Sequence, residues 1–392
     1  MKKNNKTPKL RFSGYTDDWE QRKFSDIAVR ESSISTSTTD IPSVEYEDVI
    51  AEEGRLNKDI RLKEVVKSGI TFDGSQVLYG KLRPYLHNWL NPDFKGIAVG
   101  DWWVLKPINM DKKFLYRLIQ TQQFDNIANQ SSGSKMPRAD WNLISNSEFM
   151  VPFSKEEQSK IGRYFDSLDH LITLHQRKLE KLQNMKKSCL QKMFPKDGAT
   201  VPEIRFSEFQ GDWEERTLGS CFDERLESLP DGELLSVTIG SGIKKFSELD
   251  RHDNSNTDKS KYKRVCIGDI AYNSMRMWQG ASGRSPYEGI VSPAYTVVKP
   301  IGDIDTQFFA YMFKKKEIIH LFEINSQGLT SDTWNLKYPA FSKIVVRVPR
   351  NVEEQSRIAR FLLKLDELIS CAEQEIEITK RMKKGCLQKM FV

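Results

Sequence analysis

Two long stretches of the chain carry a seam with steps of four and three residues. The first runs through Ile161, Phe165, Leu168, Ile172, His175, Leu179, Leu182, Lys186, Cys189 and Met193. The second runs through Ile358, Leu362, Leu365, Ile369, Ala372, Ile376, Thr379, Lys383, Cys386 and Met390. Such spacing is a heptad pattern, and it predicts two helices of about 40 residues, each roughly 60 Å long. Both seams turn polar at the same place, Lys186 and Lys383. A rod of that length needs a partner of matching length. The simplest arrangement packs the two against each other, antiparallel about a pseudo-two-fold axis; the alternative folds each back on its own globule. Each helix follows a Val-Pro pair, in MVPFSKEEQ and VRVPRNVEEQ. Pro152 and Pro349 close a strand there, and Ser154 or Asn351 is placed to cap the helix with Glu157 or Glu354 behind it.

Elsewhere the periodicity is mixed. FLYRLIQTQQFDNIANQ (114–130) and FFAYMFKKKEIIHLFEI (308–324) read as helices, whereas GIAVGDWWVLKP, GIVSPAYTVVKP and KIVVRVP read as strands. Helices and short strands in irregular order predict an α+β (α/β-like) fold for the regions that precede the rods.

These patterns occur twice. PKLRFSGYTDDWEQR (8–22) matches PEIRFSEFQGDWEER (202–216), pairing Arg11 with Arg205 and Trp19 with Trp213. VLYGKLRP (77–84) faces IAYNSMRM (270–277), and EEQSKIGRYFDSLDHLI faces EEQSRIARFLLKLDELI. The decapeptide MKKSCLQKMF (185–194) returns as MKKGCLQKMF (382–391). Residues 23–70 and 217–260, by contrast, share almost nothing. A tandem repeat of one framework with a variable insert follows. The expected segments are a globule at 1–153, a helix at 154–194, a Pro/Gly linker at 195–201, a second globule at 202–350 and a helix at 351–392.

Composition agrees with a folded chain: 392 residues, 38% apolar, eight Trp and 29% charged. No run of 18 apolar residues occurs, so the expectation is a cytoplasmic protein without a membrane span. Five Cys without a CxxC pair suggest reduced thiols. A formal net charge of +6 fits a nucleic-acid partner but does not require one.

A search for catalytic chemistry yields little. There is no Walker A sequence, no Asn/Asp-Pro-Pro-Tyr/Phe methyltransferase signature, no HExxH and no His/Cys cluster with metal-ligand spacing. IGSGIKKF (239–246) lacks the third glycine of a dinucleotide loop and reads as a basic turn. The acidic stretches YEDVIAEE and FDERLE do not recur in register. What does recur is aromatic and basic residues in Gly/Ser-rich loops, the composition of a DNA-reading surface. In YGKLRPYLHNW the candidates for DNA contact are Tyr79, Lys81 and Arg83; in YNSMRMWQGASGR they are Tyr272, Asn273, Arg276 and Arg284. Lys135 and Arg138 lie in NQSSGSKMPRADW, Thr330 and Ser331 in NSQGLTSDTW, and Lys244 and Lys245 in the basic turn. Trp141 and Trp334 are expected to pin the two later loops.

The helix starts EEQSKI…LDHLI and EEQSRI…LDELI, the openings RFSGYTDDWE and RFSEFQGDWE, and VLYGKLRP and MRMWQGASG together resemble the specificity subunits of type I restriction-modification systems, over essentially the whole chain. The resemblance implies two target-recognition domains, each reading one half of a bipartite, asymmetric double-stranded DNA target. Two spacer helices would separate them, set the half-site spacing and dock two modification subunits. Restriction subunits would join through the modification subunits. It further implies no catalysis and no cofactor in this chain, with S-adenosylmethionine, ATP and Mg confined to partner subunits, and a role in bacterial defence. In the decapeptide, Lys187 and Lys192 and their repeats Lys384 and Lys389 are the expected footprint of the modification subunits. Two other readings stay open: a coiled-coil scaffold whose globules bind proteins, and a self-contained DNA enzyme.

Overall fold

The computed structural model describes residues 6–392 except 64, 131–134, 197, 241, 254 and 331–332. The chain divides into two compact units, residues 1–176 with 373–392, and residues 177–372. The fold is a mixture of short strands and helices, α+β in class, with two long helices at Lys155–Lys192 and Val352–Met390. Each unit therefore contains the N-terminal part of one long helix and the C-terminal part of the other.

In unit 1 a four-stranded sheet orders Ala28–Glu31, Trp102–Pro107, Val77–Gly80 and Trp89–Leu90. Unit 2 repeats that order with Phe222–Glu224, Tyr295–Pro300, Ile270–Asn273 and Ser282–Arg284. The dissimilar inserts fold differently. Unit 1 builds a second four-stranded sheet from Ile34–Thr36, Ser68–Phe72, Gly96–Ala98 and Ser43–Val44, while unit 2 has two separate strand pairs, 235–238 with 242–245 and 263–265 with 289–291.

Each stretch expected as one helix is two. Lys112–Leu118 and Gln122–Ala128 are separated by Thr121, whose hydroxyl donates to the Leu118 carbonyl at 2.7 Å and accepts from the Phe124 amide at 3.3 Å. It closes one helix and caps the next. Thr306–Met312 and Lys316–Ile324 break at the corresponding place, where the second helix starts without a side-chain cap.

The shared sequence blocks meet in the cores. In unit 1 the Glu157 carboxylate, 2% exposed, accepts from Arg11 Nε at 2.6 Å and Nη2 at 2.8 Å and from Trp19 Nε1 at 3.4 Å. Glu354 in unit 2 repeats this with Arg205 at 2.7 and 2.8 Å and Trp213 at 3.2 Å. The EEQ motif is thus a clamp on the RF…W opening, and its second Glu does not serve the helix cap through its side chain. The following Gln ties two further chain segments: Gln158 donates to the Pro152 carbonyl and accepts from the Asp111 amide, both at 2.8 Å. Gln355 does the same for Pro349 and Asp305 at 3.1 and 3.0 Å.

The end of the decapeptide is also core. Phe391 stacks on Phe114 at 5.2 Å and meets Trp19 edge-on at 6.2 Å in unit 1. Phe194 stacks on Phe308 at 5.2 Å and meets Trp213 edge-on at 6.1 Å in unit 2. The identical Met-Phe pair therefore repeats because it fills two equivalent sockets. The polar seam positions are paired as well. Lys383 contacts Asp169 at 2.6 Å in unit 1, and Lys186 contacts Asp366 in unit 2. Within unit 1, residue numbers on one helical segment fall as those on the other rise: Tyr164 with Cys386, Asp169 with Lys383, His175 with Glu375.

Candidate nucleic-acid interface

The candidate surface in unit 1 grows from the end of strand Val77–Gly80. Tyr79 itself is 2% exposed, stacked on Trp103 at 5.6 Å and set edge-on against Phe124 at 5.0 Å. Tyr272 is fully buried and stacks on Phe341 at 5.2 Å. Both rings were expected as contacts, but aromatic strand ends at this point of the sheet are taken into the core, where burial of their area is worth more. They anchor the loops and leave no face for a ligand.

Beyond Tyr79 the two candidate loops of unit 1 are zipped together. The Arg83 amide donates to the Pro137 carbonyl at 2.7 Å and the Ala139 amide to the Lys81 carbonyl at 2.8 Å, with Leu82 and Arg138 bridged between them. Lys81, Arg83 and Arg138, 57 residues apart at the extremes, are brought to one place. Arg83 sits in the left-handed region at φ 49° and its Nε is buried. Lys135 is exposed on the same loop.

Asp101, which sequence reasoning missed, lies at the centre. Gly100, at φ 98°, turns the chain between strands Gly96–Ala98 and Trp102–Pro107 and leaves Asp101 at the turn. Its carboxylate accepts from Arg138 Nε at 3.2 Å and Nη2 at 3.0 Å and lies 3.5 Å from Lys81 Nζ. Those Arg138 hydrogen bonds hold the Asp101 carboxyl below the usual carboxylate range. Its backbone carbonyl accepts from the Lys81 amide at 2.9 Å and from the Tyr46 hydroxyl at 2.5 Å, and that hydroxyl accepts from the Leu82 amide at 3.0 Å. The only sequence signal was an acidic residue after a turn glycine.

Unit 2 keeps the main-chain frame with other side chains. The Leu336 amide donates to the Ser274 carbonyl at 2.8 Å and the Ser274 amide to the Ala294 carbonyl at 3.3 Å. This ladder matches Ala139 with Leu336, so Trp141 corresponds to Tyr338, each the first residue of a helix. Trp334 instead packs edge-on against Trp278 at 5.4 Å. Arg276 is exposed, and the Asn273 side chain accepts from the Met275 amide at 3.0 Å. Arg284 is turned inward to the Thr306 hydroxyl at 3.0 Å. Lys244 and Lys245 lie on a strand of a hairpin, and Lys245 pairs with Glu233 at 2.8 Å. Thr330 is exposed in a turn closed by Thr333, whose hydroxyl donates to the Thr330 carbonyl at 2.9 Å. Ser331 lies outside the described residues.

On the long helices Lys187, Lys192, Lys384 and Lys389 are exposed; Lys192 Nζ lies 3.9 Å from Glu203. Among the described residues no group of His, Cys, Asp or Glu is arranged to hold a metal ion. Nor is any described helix long and apolar enough to cross a membrane.

Comparison with known proteins gives this geometry a context. Residues 16–184 match the family described as the type I restriction modification DNA specificity domain. The type I restriction enzyme MjaVIII specificity subunit of Methanocaldococcus jannaschii is 22% identical over 307 residues, 70% of this chain and 68% of that protein. The fold is similar to the crystal structure of the type I restriction-modification S subunit from M. genitalium, with a TM-score of 0.60 at 15% identity, covering 98% of this chain and 99% of that one. A chain from a structure on complex assembly and conformational transition of the type I system aligns with a TM-score of 0.53 at 16% identity, covering 95% and 97%. Residues 16–184 thus match a type I DNA specificity domain, and the chain as a whole is similar in fold to type I restriction-modification S subunits.

Proposed function

We propose that this subunit gives its complex its DNA sequence preference by reading a bipartite, asymmetric double-stranded target, one half with each globule. The carrying observation is the repeated frame with unlike side chains: the same main-chain hydrogen bonds present Lys81, Asp101 and Arg138 in unit 1 but Ser274, Ala294 and Asn335 in unit 2. Two identical readers would give a symmetric site; two differently dressed ones give an asymmetric site. The candidates for contact are the exposed Lys135 and Arg138 with the half-buried Lys81 and Arg83 in one half, and the exposed Arg276 and Thr330 with the half-buried Lys244, Lys245 and Asn273 in the other.

The long helices act as an antiparallel spacer that fixes the distance between half-sites and docks two modification subunits. The descending residue pairs within unit 1 and the matched Lys-Asp pairs support this. Lys187, Lys192, Lys384 and Lys389 form two repeated exposed sets for two identical partners. Methyl transfer to adenine, with S-adenosylmethionine, and ATP-driven steps belong to those partners.

The test replaces residues 8–150 with the matching segment of another specificity subunit and maps methylated adenines in genomic DNA. One half-site should change, with the spacer and the other half retained. A change in both halves, or no bipartite sequence at all, refutes the reading.

A further inference from the structure

Resting on that reading, one base can be named. Arg138 has 53% of its side chain exposed, yet it is not a loose surface arginine. Its backbone is fixed by the bridge to Leu82 and by the flanking bonds at Pro137 and Ala139. The Asp101 carboxylate takes one edge of the guanidinium, Nε and Nη2, at 3.2 and 3.0 Å. Asp101 is itself held through its carbonyl by Tyr46 and Lys81.

A planar fork gripped along one edge still offers its end edge, two parallel N–H donors on Nη1 and Nη2. Tethering removes much of the rotamer freedom that a surface arginine would otherwise lose on binding. The carboxylate also argues against a phosphate as the ligand. Lys81, Asp101 and Arg138 together carry one net positive charge, and an anion beside the guanidinium repels a second anion while costing a neutral base edge little. Among base edges in the major groove, guanine alone offers two acceptors, N7 and O6, to two parallel donors. Adenine pairs an acceptor with a donor, thymine has one acceptor beside a methyl group, and cytosine presents a donor.

We propose that Arg138, aimed by Asp101, reads a guanine in the DNA half-site bound by unit 1. Asp101 is a positioning residue in this arrangement. Unit 2 has Asn335 and Ala294 at the corresponding places and lacks the reader, so the half-site bound by unit 2 has no guanine requirement of this origin.

The experiment uses the intact complex with its modification subunits. Methylated adenines are first mapped in genomic DNA to give the wild-type target. Duplexes carrying that target, with each position of the unit 1 half-site substituted in turn, then compete for the purified complex at one fixed salt concentration. Arg138→Gln should relax a single guanine position by about ten- to a hundredfold and leave every other position in place. Arg138→Lys, which keeps the charge but loses the paired donors, should relax the same position. Asp101→Asn should do so more weakly. Undisturbed reading of the unit 2 half-site shows that the variants are folded and assembled.

If Arg138→Gln weakens binding equally on all duplexes while Arg138→Lys restores it, Arg138 is a phosphate contact and the inference is overturned. It is equally overturned if no position changes its preference. Either result leaves the bipartite reading intact, whereas a wild-type complex without any bipartite target removes both.

Discussion

Replacing Phe391 by Ala should undock the end of the second long helix from unit 1. The ring is 8% exposed, stacked on Phe114 at 5.2 Å, edge-on to Trp19 at 6.2 Å and 6.4 Å from Phe165. Truncating a buried Phe costs about 3–5 kcal/mol, because the transfer free energy of the ring is lost and the socket stays partly open. Phe391 lies at a helix end, where the neighbouring residues can relax, so the lower figure, about 3 kcal/mol, applies. At about 1.4 kcal/mol per factor of ten, that raises the population of the undocked segment on the order of a hundredfold. Native-state hydrogen exchange should show it as a matching loss of protection in the amides of 380–390. Amides of the unit 2 helix segment at 186–192, held by Phe194, should be unchanged, and Phe194→Ala should give the reverse pattern. A change in protection of 380–390 by less than about threefold in Phe391→Ala would refute the docking role of the socket.

Glu157→Gln should cost about 3 kcal/mol in chemical denaturation, because it leaves the Arg11 guanidinium and the Trp19 indole without their shared charged acceptor. A loss under about 0.5 kcal/mol would mean the clamp is ornamental. Lys314 in unit 2 donates to the carbonyls of Ile239, Gly280 and Ser282 at 3.1, 2.7 and 2.8 Å, and burial, with Lys186 nearby, pushes its ammonium down to about 8. Between that value and the ordinary 10.5 the unfolded chain holds the extra proton, so this group makes stability rise with pH across the window. The wild-type minus Lys314→Met difference in unfolding free energy should therefore increase from pH 8 to pH 10; a flat or falling difference refutes it.

The helical seam was legible because packing and periodicity agree there: Ile161, Phe165, Ile358 and Leu362 are all buried, as four-three spacing requires. The sheet was half-legible. Its strands show in runs such as WWVLKP, but the helix break at Thr121 rests on one hydroxyl cap that a periodicity count averages away. At the candidate interface the choice of loops was readable from composition. The choice of residues was not, because Tyr79 and Arg138 differ in whether the sheet beneath takes them in. Asp101 was invisible for a related reason: its role comes from the fold bringing Arg138 across a sequence distance that no local pattern spans. The Glu of EEQ read as a helix-start signal, since the clamp partner is some 146 residues away.

The Met-Phe socket also sets a schedule for synthesis. Unit 2 is offered Phe194 before its own socket residues Trp213 and Phe308 have been made, so it can close as they emerge. Unit 1 has the opposite order: Trp19, Phe114 and Phe165 leave the ribosome long before Phe391. At bacterial to eukaryotic elongation rates the 226 residues between Phe165 and Phe391 take roughly 10–45 s. For that interval the aromatic pit of the nascent first globule lacks the ring that fills it.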